Sequence, residues 1–142
     1  MLMTLERPEI RELLPVAPEP ELDAVGKLLM RAADELESRG LCKGTLGDGI
    51  TGEVCAIGAI NVAHHGYPYY AWEGSPIPKF KPGGPDADVF GSKAVREAFG
   101  RASAVVGEPI HTFNNRPETT QAQVADVLRR AATSTEVAFY NY

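Results

Sequence analysis

At 142 residues, with 44% hydrophobic and 23% charged side chains, the chain has the make-up of one soluble globular domain with a buried core. Its 14 Lys and Arg against 19 Asp and Glu leave a net charge of -5, which argues against non-specific attachment to nucleic acid or to an anionic membrane. Two cysteines are too few for a disulfide framework, and fourteen glycines with eleven prolines imply long loops between the regular elements.

Residues 1–19 are expected to form an irregular proline-rich arm, because Pro8, Pro15 and Pro18 interrupt any regular element. Glu6, Arg7 and Glu9 break up its apolar residues, so it lacks the form of a signal peptide. No apolar run in the chain approaches a membrane span, and the expected location is the cytoplasm. The first helix is predicted over 20–38, where Leu22, Val25, Leu29, Ala32, Ala33 and Leu36 make one apolar stripe. Glu21 and Asp23 favour its positive end, and Gly40 stops it. Glu35 and Glu37 are two apart and do not face one another, so they read as a solvated face.

The stretch from Leu41 to Glu53 holds Gly44, Gly47, Gly49 and Gly52 without phosphate-loop spacing, and Asp48 between glycines reads as a turn. A second helix is predicted over 53–65. It is apolar nearly all round, which places it in the centre of the domain. Gly58 costs it helix propensity and implies a close packing contact, while Gly66 ends it. Between 67 and 82, Tyr70, Trp72 and Phe80 stand among prolines. They either fold back onto the core or form an exposed recognition surface.

A third helix is predicted over 92–106, with Ser92 as cap, Val95, Ala98, Phe99, Ala102 and Val106 as its buried face, and Gly107 as its stop. Arg96 and Arg101 on it, like Lys79 and Lys81 around Phe80, read as solvated charges without a nucleic-acid-binding motif. Pro109 and Pro117 suggest an extended or irregular stretch between them. The last helix, 120–132, opens with capping-box spacing at Thr120 and Gln123. Residues 134–142 form a tail that lies on the body or pairs as a strand. These elements predict an all-α fold: one compact domain over 1–142, with a body at 20–133, about four helices, long Gly- and Pro-rich loops, and room for a minor terminal strand pair.

Two chemistries compete for the polar residues. Cys55 falls at the start of the central helix, where the helix dipole favours a thiolate, and His111 with Asn114 would complete a nucleophile, base and orienting amide for hydrolysis or acyl transfer. Against this, a cysteine in an apolar helix is ordinarily a buried structural residue. Cys42, Cys55, His64, His65 and His111 lack the close ligand pairs of a structural zinc site, and adjacent helical histidines point about 100° apart. No metal and no cofactor is expected. With no complete catalytic signature, the leading expectation is a small intracellular protein-binding or regulatory protein. Its partner would be another protein or a second copy, with Tyr70, Trp72 and Phe80 as anchors.

Three blocks occur in order: LLMRAADELESRGLCKG, GEVCAIGAINVA and IHTFNNRPETTQAQVADVLRRAA. Together they resemble the family of small actinobacterial and mycobacteriophage proteins designated domain of unknown function 6197. That family's Gly-x-x-Cys-x-x-Gly-Ala segment matches Gly52, Cys55, Gly58 and Ala59. Its late segment matches Asn114 and the helix from Thr120 through Ala132. The chain departs from the pattern at Leu41, Phe113 and Asn115, the last standing where Asp is usual. The resemblance implies an actinobacterial or phage source, with host cytoplasm as the location if phage-encoded, and it carries no established activity.

Overall fold

The computed structural model describes residues 21–68 and 93–140. The proline-rich arm, the expected anchors Tyr70, Trp72 and Phe80, and the expected cap Ser92 lie outside the described residues. Within them the chain forms α1 (Ala24–Arg39), α2 (Ala56–His65), α3 (Lys93–Val106), α4 (Ile110–Asn115) and α5 (Gln121–Ala132). The fold is mostly helical, as expected. Among the described residues the β pairing is confined to two isolated bridges, both at Val54.

Helix α1 starts later than its apolar pattern suggests. The Asp23 carboxylate accepts the Gly26 N–H at 2.7 Å and so caps the helix, placing residues 21–23 outside it. Its stripe of Val25, Leu28, Leu29, Ala32, Ala33 and Leu36 is buried, and its main neighbours are α5 and α2. Gly26 lets α1 meet the end of α5, because a Cβ there would come within 2.5 Å of the Ala132 carbonyl. Gly40, at φ 94, ends the helix and donates its N–H to the Leu36 carbonyl.

Helix α2 is the centre of the molecule, with eight of its ten residues buried. It packs against α1, α3, α4 and α5. Gly58 has the packing reason its position implied. The loop 41–47 passes directly over the first turn of α2, and a Cβ on Gly58 would lie 1.8 Å from the Leu46 carbonyl oxygen.

Two sequence expectations are corrected in the second half. Arg101 is not on a solvated face. It is 4% exposed, and its guanidinium donates to Asp23, the N-cap of α1, and to Glu97 one turn earlier on α3. A buried guanidinium is tolerated because carboxylates on two helices pair with it. The stretch after Pro109 is a short helix, α4, instead of extended chain. Pro109 sits at its N-cap with φ -54, a position where a missing N–H costs nothing, and Pro117 lies beyond the last turn. Helix α5 opens as expected, with the Thr120 hydroxyl accepting the Gln123 N–H and the Gln123 side chain accepting the Thr120 N–H.

Gly58→Ala gains helix propensity and loses the crossing, so it is expected to lower stability by about 3 kcal/mol or more in urea unfolding. Gly49→Ala, in a turn with open space around its Cα, is expected to stay within about 0.5 kcal/mol of the parent chain. Equal effects of the two substitutions would contradict the close contact at Leu46.

Candidate functional site

Val54 sits between two short extended pieces. Its N–H donates to the Gly40 carbonyl at 2.9 Å, and its carbonyl accepts the Cys42 N–H at 3.0 Å, the pattern of a parallel pair. On its other side, the Asp48 N–H donates to the Glu53 carbonyl and the Cys55 N–H to the Leu46 carbonyl. The next rung of the parallel pair would join the Ala56 N–H to the Cys42 carbonyl. Those two groups instead bond to one inserted side chain. Asn114 Oδ1 accepts the Ala56 N–H at 2.9 Å, and Asn114 Nδ2 donates to the Cys42 carbonyl at 3.1 Å.

Asn114 is fully buried, and its Nδ2 also donates to Asn115 Oδ1 at 3.0 Å. Asn115 Oδ1 in turn accepts the Gly44 N–H at 2.9 Å. Lys43 reaches the carbonyls of Arg116 and Pro117. The two asparagines therefore bind the end of α4 to the loop before α2. At Asn115 the oxygen is an acceptor twice, a role that an Asp carboxylate would fill equally well.

Beside this joint lies a cleft of about 1060 Å3 bounded by the loop at 44–46, α2, α3, α4 and residues 137–140. Leu46, Ile57, Phe99, Val137 and Phe139 give it apolar walls, and Lys93, Arg96 and Glu97 run along its α3 side. Cys55 and His111 both line it, so the fold brings two of the three residues of the thiol-enzyme reading to one cavity. The third is spoken for elsewhere, since the Asn114 amide bonds Ala56, Cys42 and Asn115.

The Cys55 sulfur caps α2 by accepting the Gly58 N–H at 3.3 Å, and the residue is 5% exposed. Cys55 is the N-cap of α2, which corrects its expected place inside the first turn of a helix over 53–65. Burial raises the Cys55 thiol pKa, outweighing the hydrogen bonds to its sulfur. Burial likewise pushes Cys42 up to about 11, helped by Cys55 and by the nearby carboxylates Glu53 and Asp48. Both cysteines are free thiols. Among the described residues no three His, Cys, Asp or Glu side chains gather as a metal ion needs. Also among them, no helix is long and apolar enough to cross a membrane.

Sequence reasoning found Cys55, His111 and Asn114 but missed the joint that Asn114 makes. Its partners lie 58 and 72 residues away, and no local spacing announces a contact of that range. The walls contributed by residues 137–140 carry only one sequence signal, the apolar and aromatic run Val137-Ala138-Phe139-Tyr140.

Asn114→Ala leaves a buried N–H and a buried carbonyl without their partner, and it is expected to cost roughly 2–5 kcal/mol in chemical unfolding. Asn115→Asp keeps the acceptor oxygen and is expected to change stability by less than about 0.5 kcal/mol. A mild effect of the first substitution, or a severe effect of the second, would contradict these roles.

The chain belongs to the family of unknown function DUF6197, whose model matches residues 20–134. No curated protein and no solved structure matches it.

Proposed function

We propose that this member of the DUF6197 family is a small cytoplasmic binding and regulatory protein whose cleft receives an apolar segment of a protein partner. The observation that carries this reading is the cleft itself, apolar on most of its walls and holding a thiol that is already spent as a helix cap. Its volume lies just above the range of small-molecule sites, roughly 300–1,000 Å3, which suits several side chains of a peptide. Phe139 is 72% exposed and Val137 39% exposed on its walls, and an apolar partner would cover both.

Phe139→Asp tests this reading without disturbing the core, because the side chain is mostly in water. Affinity capture from an actinobacterial lysate, the source the family resemblance implies, is expected to enrich a partner with the parent chain and to lose it with the variant. The same proteins captured by both chains would overturn the assignment of the cleft. A dimer in light scattering that Phe139→Asp dissolves would make the second copy the partner.

One observation favours the rival reading of a cysteine-dependent hydrolase or acyltransferase using Cys55, His111 and Asn114: Cys55 and His111 line the same cleft. Thiol alkylation separates the two. With both thiol pKa values raised, little thiolate exists in the folded chain at neutral pH. Alkylation of the native protein by iodoacetamide is expected to be slow at pH 7, to rise only in alkali, and to be unchanged by His111→Ala. Rapid labelling of Cys55 at pH 7 that is lost in His111→Ala would establish the enzyme.

A further inference from the structure

Residues 134–140 leave α5 and run without helix, turn or bend. Past the Ser134 N–H, which still bonds the Ala131 carbonyl at the end of α5, one backbone bond among the described residues ties this segment to the body, from the Ala138 N–H to the Gly100 carbonyl on α3 at 2.9 Å. Gly100 makes the approach possible, since a Cβ there would lie 2.4 Å from Val137 Cγ1 and 3.2 Å from the Phe139 ring. In an extended chain, successive backbone groups point to opposite sides. With Ala138 turned to α3, the N–H and C=O groups of Val137 and Phe139 face away from it. Among the described residues, the amides of Val137, Phe139 and Tyr140 have no acceptor.

Among the described residues, that is an edge of extended chain with no backbone partner. Sheet edges are ordinarily guarded by proline, by lysine or by a bulge. Residues 137–140 read Val-Ala-Phe-Tyr, a run of high strand propensity with no charge and no proline. Val137 and Phe139 line the apolar cleft. Lys93, exposed and without a partner among the described residues, stands on the same cleft.

Resting on the cleft reading above, we infer that residues 136–140 are a docking edge to which the partner adds a short extended strand. The partner's backbone pairs with Val137 and Phe139, its alternate apolar side chains enter the cleft, and an acidic side chain meets Lys93. Strand addition of this kind takes affinity from main-chain hydrogen bonds and specificity from alternate side chains. The partner is thus an extended segment that alternates apolar and acidic residues, and not an amphipathic helix.

The test uses the full 15N-labelled chain and a blocked octapeptide alternating valine with glutamate. A second octapeptide is N-methylated at alternate residues, so that it keeps the side chains and loses the pairing edge. The unmodified peptide is expected to shift the Val137 and Phe139 amides and slow their hydrogen exchange at least tenfold. The methylated one is expected to bind at least tenfold more weakly, and Lys93→Gln to weaken the unmodified peptide about threefold at low salt. Shifts at Leu46, Ile57 and Phe99 with free exchange at Val137 and Phe139, and equal binding of both peptides, would overturn strand addition and leave the cleft reading standing. Binding of the apolar dye 8-anilinonaphthalene-1-sulfonate in the cleft without binding of the octapeptide would do the same. If neither dye nor peptide moves a cleft resonance, both readings fall.

Discussion

One buried amide holds the centre of this fold in place. Asn114 stands where the rung between Ala56 and Cys42 would be, supplying each of those backbone groups with the partner that a direct bond would have given. The inserted side chain lets the two pieces diverge without stranding a buried donor or acceptor, which would cost about 1–3 kcal/mol for each group. Divergence at this point is what allows the chain after Val54 to turn into α2 while the loop before it crosses overhead. The close contact between that loop and Gly58, the Cys55 cap on α2 and the floor of the cleft all lie within one turn of the joint.

Charge pairs divide by exposure into those that shape the molecule and those that decorate it. Arg129 with Asp34 and Glu37, and Arg116 with Glu108, have side chains that remain substantially in water. Pairs of that kind add little to stability, because water screens them. Arg101 differs because its side chain is 5% exposed while the carboxylates that meet it reach out to solvent. Removing Asp23 would uncap α1 and also deprive a buried guanidinium of one of its two counter-charges. The same carboxylate thus starts α1 and fixes its distance from α3. Gly26 at the other contact of that turn does the equivalent for α5 by omitting a side chain.

The helices were legible because apolar periodicity and local punctuation are written in neighbouring residues. Thr120 and Gln123 announced a capping box, Gly66 and Gly107 announced stops, and all were found with the geometry their chemistry requires. What escaped was long-range or ambiguous. Arg101 looks like any charged helical residue until Asp23, 78 residues earlier, is folded against it. Pro109 restricts an extended chain and opens a helix equally well, so α4 turned on a choice that local sequence does not make. The cleft drew Cys55 and His111 together as the enzyme reading asked, yet burial and the cap on Gly58 left the thiol in a poor state for attack. The aromatic anchors Tyr70, Trp72 and Phe80 lie outside the described residues, and the apolar surface that the fold does display comes from the tail.

The measurement that bears most directly on the account is native-state hydrogen exchange at the Ala56 amide. That N–H begins a helix, where backbone donors ordinarily lack an intrahelical partner and exchange early. Here its acceptor is the buried oxygen of Asn114. The expected result is exchange only through global unfolding, with an opening free energy equal to that of Ile60 in the middle of α2. Exchange of Ala56 several orders of magnitude faster than Ile60 would contradict the central role of the Asn114 joint.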